Sequence, residues 1–174
     1  MLSKVPFALL AAGYIHRAGA IYSKKIDSQL IYWISTEGVD SSQNILIGCI
    51  FPQLIKAIYS FAGRTSIPAK PTFPLAWGPP AFSQILRLDA QTLDNGSFVE
   101  KIEAILSDNS ELSEVISRIK NGQLFSWNAP QVIAAGLALL GQCKELEAFQ
   151  ASVTDDGVIG EFLSAAVLSC QHQG

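Results

Sequence analysis

A chain of 174 residues that is 49% hydrophobic and only 16% charged has the material for one domain with a buried core, which excludes a disordered polymer. The formal net charge is −3, and Lys and Arg are scattered rather than gathered in a stripe, which argues against a nucleic-acid-binding surface. So few charges over so many apolar residues predict a partly apolar exterior, and hence a homo-oligomer or a protein with a stable partner.

From the N-terminus, "MLSKVPFALLAAGYIHRAGA" loosely imitates a secretory signal, but His16 and Arg17 stand where a cleavage region should be uncharged. Residues 5–22 read instead as a buried helix, Ala, Leu and Ile lying nearly all round it. Asp27 or Ser28 is placed to cap a second helix that runs to about Thr36. After the turn chemistry of "EGVDSSQN", residues 44–62 resume a long apolar helix, which Pro52 either kinks or splits. Its apolar run is interrupted by Pro52, Gln53 and Lys56 and falls short of the roughly 18 residues that cross a bilayer. The expectation is a soluble, cytoplasmic protein with no membrane contact.

Five of the eight prolines fall within residues 68–80. That density excludes a helix or a central strand and predicts an extended strap over residues 66–82, between two helical groups. Phe73, Leu75, Trp77 and Phe82 are its anchors, and Phe73, Trp77 and Phe82 are candidates for contact with a partner.

Beyond the strap, Ser97 with Glu100 forms a capping box before a stripe of Phe98, Ile102, Ile105 and Leu106. Ser110 repeats the device for Leu112, Val115, Ile116 and Ile119, and Gly122 ends that helix. Asn128 caps a further helix with Pro130 just inside it; a short amphipathic helix and a final one over 157–171 follow. The pattern predicts an all-α fold: one domain over 1–174, an orthogonal bundle of about eight helices.

Chemistry is sparse. Cys49, Cys143 and Cys170 are odd in number and widely spaced, which suits buried free thiols in a reducing compartment. The histidines are His16 and His172, and no nucleophile elbow, phosphate loop or zinc-protease motif occurs. The acidic turn Thr154-Asp155-Asp156 precedes a helix, where carboxylates are stabilised by unpaired N–H groups. The functional alternative is a hard-cation site, with Asp155 and Asp156 as oxygen ligands. Neighbouring acids on a starting helix diverge by about 100°, so a second acidic segment would be needed.

The two chain ends together resemble the ADP-ribosylglycohydrolase family. "SKVPFALLAAGYIHRAGA" looks like that family's opening, and "NAPQVIAAGLALLGQCKELEAFQASVTDDGVIGEFLSAAVLS" is similar to its closing rhythm. The resemblance covers residues 3–22 and 128–169 and implies an all-α fold with magnesium held by acids of the first helix and the late turn. In this chain the first-helix Asp position holds His16. The late pair falls on Thr154 and Asp156, or on Asp155 and Gly157, so one acid is lost in either register. A two-magnesium site needs several carboxylates to hold the ions. The expectation is therefore a non-catalytic helical domain acting through protein–protein contact or oligomerisation, with no cofactor. The alternative is a residual ADP-ribosylglycohydrolase-like hydrolase or ADP-ribose binder, in which His16 and Thr154 border a cleft and Mg²⁺ sits at Asp155 and Asp156.

Overall fold

Strand-forming residues dominate the first half of the chain. The computed structural model describes residues 4–36, 44–64, 80–88, 97–154 and 157–172. After α1 (Lys4–Ala11) come β1 (Ile15–His16), β2 (Ile21–Lys25), β3 (Ile31–Ser35) and β4 (Asn44–Ile50), then α2 (Pro52–Phe61) and β5 (Gln84–Arg87). The five strands form one antiparallel sheet in chain order, a simple meander. Among the described residues five helices follow: α3 (Phe98–Ser107), α4 (Leu112–Lys120), α5 (Ala129–Leu139), α6 (Cys143–Ser152) and α7 (Val158–Gln171).

The fold is therefore α+β, which corrects the all-α expectation of about eight helices; seven helices occur among the described residues. The physical reason lies in the burial of the sheet. All five residues of β3 are buried, and so are five of the seven in β4. A strand covered on both faces shows no polar alternation, so its apolar run imitates a buried helix. Composition is the better guide here, because "IYWIS" and "NILIGCI" are rich in the β-branched and aromatic residues that suit a pleated surface.

Other boundaries move for local reasons. The helix expected over 5–22 stops at Ala11, because Gly13 and Gly19 take positive φ (86° and 57°) and turn the chain into β1 and β2. Asp27 caps the β2–β3 hairpin rather than a helix, its Oδ1 accepting from the N–H groups of Gln29 (2.6 Å) and Leu30 (2.8 Å). Pro52 splits its segment, standing at the first position of α2 where its missing N–H costs nothing. Ser97 has helical φ and ψ and makes no side-chain cap bond, and α4 starts after Glu111, not Ser110. Both amphipathic stripes nonetheless bury as expected, through Phe98, Ile102 and Leu106 and through Val115, Ile116 and Ile119.

One core runs from Val5 to Cys170. It packs the sheet face of Tyr32, Ile34, Ile45, Ile47 and Cys49 with α1, α3 and the helical layer. The opposite face, Ile31, Trp33 and Ile50, packs with Ile55 and Tyr59 of α2. At the centre of the helical layer, α5 is buried from Val132 to Ala138 and touches α2, α4, α6 and α7.

Residues 65–79, most of the Pro-rich strap including Phe73 and Trp77, lie outside the described residues. Its end, Pro80–Phe82, lies against β4 where Gly48 leaves room: an added Cβ there would stand 2.2 Å from the Phe82 carbonyl oxygen and 2.9 Å from Pro80 Cβ. Cys143 and Cys170 form a disulfide between the start of α6 and the last turn of α7, with Cα atoms 5.6 Å apart. This corrects the free-thiol reading for two of the three cysteines, leaving Cys49 as a buried thiol. Among the described residues no helix is long and apolar enough to cross a membrane.

Candidate functional site

Of the residues singled out from sequence, His16, Thr154 and Phe82 lie among the described residues. His16 lies exposed on β1, its Nε2 2.7 Å from the Gly19 carbonyl and its ring 5.2 Å from that of Tyr22, both partners on its own hairpin. Thr154 is exposed between α6 and α7, and Asp155 and Asp156 lie outside the described residues. Phe82 is fully buried, so it anchors the chain in the core and presents no side chain to a partner. Among the described residues no group of three or more His, Cys, Asp and Glu side chains is placed to hold a metal ion.

Three other places have the raw material of a site. The first is a polar cluster between the sheet and α3. Lys24 Nζ of β2 pairs with Glu103 Oε1 of α3 at 2.7 Å and stands 5.6 Å from the centre of the Tyr14 ring. Burial pushes the Tyr14 phenol far above its ordinary range, and the nearby Glu103 carboxylate pushes the same way. The Tyr14 hydroxyl lies by Glu103 without a well-formed hydrogen bond. Burial also raises Tyr32, against the opposing effect of a hydrogen bond with Ser107. Burial alone lifts the Cys49 thiol to about 12. Tyr14, Tyr32 and Cys49 each hold their proton at neutral pH, so none of the three is a ready base or nucleophile. The cluster is structural polar packing.

The second is a cleft of about 510 Å³ between the end of α2 and the starts of α5 and α7. Ile58, Val132 and the edge-to-face pair of Phe61 and Phe162 (centroids 5.7 Å apart) give it an apolar floor. Arg64, Asn128 and Glu161 supply polar rim groups. The Arg64 guanidinium lies 5.5 Å from the Tyr59 ring centre, a cation–π stack at the end of α2. Arg64 and Pro80, both on the rim, flank the segment 65–79 that lies outside the described residues.

The third is a groove of about 550 Å³ beside β5, the last strand of the sheet. Leu46 and Ile85 form one wall, and Arg118, Gln123 and Leu124, at and beyond the end of α4, form the other. Phe125 and Trp127 close one end. Their rings meet edge to face, centroids 4.9 Å apart and planes at 83°. Ile85, Phe125 and Trp127 are 60%, 56% and 65% exposed. Three neighbouring large apolar side chains, each more than half in water, are unlike the scattered exposed residues found on most surfaces. The chain builds this feature by a short excursion. Gly122 (φ 71°) turns the end of α4, Ser83 N–H donates to the Phe125 carbonyl at 3.0 Å in a single bridge, and Asn128 then starts α5.

Sequence reasoning used Asn128 and Pro130 as helix signals and passed over the residues just before them. A signal was present: Phe125 and Trp127 alternate with polar Ser126, the period that puts two side chains on one side of an extended segment. No protein-family model, curated protein or solved structure matches the chain.

Proposed function

We propose that this protein is a non-catalytic α+β domain that works through protein–protein contact, as a homo-oligomer or with a stable protein partner. The contact surface in this reading is the groove beside β5. A single observation carries it: the exposed edge-to-face pair Phe125–Trp127 beside Ile85 on the last strand of the sheet. Exposed aromatic residues on a rigid frame are what interface hot spots are made of. The cytoplasmic placement expected from sequence is kept as part of the reading. The Cys143–Cys170 disulfide bears against it, since reducing compartments keep such pairs as thiols.

Sedimentation velocity over a range of concentrations tests the homo-oligomeric form, with wild-type chain beside Trp127→Ser. Both side chains at this position stand largely in water, so the variant should keep its melting temperature to within a degree or two. The expected result is self-association that weakens in the variant. A strictly monomeric wild type at high concentration would overturn the homo-oligomeric form of the reading.

A further inference from the structure

The groove has a charge character as well as an apolar one. Of the residues lining it, Arg118 is the one with a formal charge, and no carboxylate is among them. One guanidinium nitrogen of Arg118, Nη1, donates to Asn109 Oδ1, which orients the group; among the described residues its other N–H donors have no hydrogen-bond partner. Arg87 is exposed at the end of β5, two residues beyond Ile85 and on the same face of the strand. The groove thus joins apolar walls to Arg118, and Arg87 stands beyond its lining on the Ile85 face of β5.

Its backbone is also disposed to receive a chain. Ser83 directs its N–H away from β4 and onto Phe125. In an antiparallel ladder such groups alternate, so Gln84 and Leu86 bond towards β4 while Ile85 and Arg87 turn their N–H and C=O groups outward. Past the one bridge, the segment 121–124 curls back onto α4, with the N–H groups of Gln123 and Leu124 both donating to the Arg118 carbonyl. Among the described residues nothing is paired with the outward groups of Ile85 and Arg87, on the edge of β5 beside the groove. An open strand edge of this kind is a template for an extended guest.

Resting on the contact reading above, we propose that the groove takes an extended, acidic segment of a partner chain. Its backbone lies along Ile85 and Arg87, its apolar side chains rest on Leu46, Ile85, Phe125 and Trp127, and its carboxylates face Arg87 and Arg118. A second copy of this same groove is a poorer occupant. Two such surfaces brought together would set two Arg87 and two Arg118 side chains at one seam, with no carboxylate from either lining.

The test uses the full chain and two fluorescent hexapeptide probes, one alternating valine with glutamate and the other valine with lysine, followed by fluorescence anisotropy. The acidic probe is expected to bind at least about tenfold more tightly than the basic one, the factor that ~1.4 kcal/mol gives. Arg87→Glu should reverse that preference, Trp127→Ser should weaken both probes, and added salt should weaken the acidic probe selectively. Equal binding of the two probes overturns the acidic partner and leaves the contact reading standing. So does failure of both probes with a chain that still self-associates through Trp127. Failure of both probes together with no Trp127-dependent association overturns both. Thermal melts of Arg87→Glu and Trp127→Ser separate lost binding from lost folding, since both side chains are exposed.

Discussion

The sheet half and the helical half each contain a glycine with no room for a side chain, and what crowds the two differs. At Gly48 on β4 the obstacles are the Phe82 carbonyl oxygen and the ring of Pro80. At Gly136 on α5 the obstacle is the Ile116 side chain, with Cδ1 and Cγ1 at 2.3 and 2.4 Å from where a Cβ would be. A backbone carbonyl and a proline ring cannot rotate aside; an isoleucine side chain has other rotamers. At these two contacts the sheet half is closed by main chain and a proline ring, and the helical half by a side chain. The cysteines divide in the same way: Cys49 is a lone thiol sealed behind the sheet, and Cys143–Cys170 is a covalent tie between α6 and α7.

The largest expected effect is at the stiff glycine. Gly48→Ala should cost about 4 kcal/mol, near the top of the range for single substitutions, because residues 80–82 must lift off β4 or the strand must distort. A urea titration measures it directly. A loss under ~1 kcal/mol would show that the chain over Gly48 yields freely, and the contrast between the halves would fail. Next comes the covalent tie. Cys170→Ser should cost about 3 kcal/mol, since the closed loop spans a sequence separation of 27. Dithiothreitol should lower the wild-type urea midpoint and leave that of the variant unchanged.

The same division explains what could be read from the sequence. The helical half announces itself: Phe98, Ile102 and Leu106 fall on a stripe with one dry face, and Asn128 with Pro130 marks the start of α5 even though that helix is buried all round. The sheet half hides. Ile31 to Ser35 are dry on both sides, so nothing in their pattern separates strand from buried helix. The disulfide was illegible for a different reason: Cys143 and Cys170 meet only because α6 and α7 pack side by side, and their spacing carries no trace of it. The groove lay between these cases. Trp127 and Phe125 are visible in the sequence, but their exposure depends on one bridge to Ser83 that no local pattern encodes.

Alkaline pH should act on the sheet half through Cys49, whereas the disulfide of the helical half does not titrate. Cys49 has an ordinary value of 9.0 and is lifted to about 12 by burial in the folded chain. Above pH 9 the unfolded chain loses this proton and the folded chain keeps it, so the unfolded state binds fewer protons and stability falls as pH rises. The contribution is fully present below pH 9 and fades by about 1.4 kcal/mol per pH unit between 9 and 12. The buried phenols of Tyr14 and Tyr32 shift in the same direction and add to the fall above pH 10. Urea midpoints at three pH values, with Cys49→Val beside wild type, isolate the thiol. An equal slope in both proteins would show that Cys49 is no part of it.

The smallest effect belongs to the yielding glycine. Gly136→Ala gains about 1 kcal/mol of helix propensity and meets a clash that Ile116 can partly relieve by rotating its side chain. The net loss should be about 1 kcal/mol, well below that of Gly48→Ala. The double-mutant cycle with Ile116→Ala decides the matter, because that change removes both Cδ1 and Cγ1. Alone it costs about 3 kcal/mol, yet the two changes together should be less harmful than their sum by about 1 kcal/mol, as expected of residues in direct contact. If instead the effects simply add, the obstacle at Gly136 is not the Ile116 side chain, and this crossing of α4 and α5 is as rigid as the one at β4. No matching cycle exists at Gly48, because a carbonyl oxygen and a proline ring leave no side-chain tip to trim.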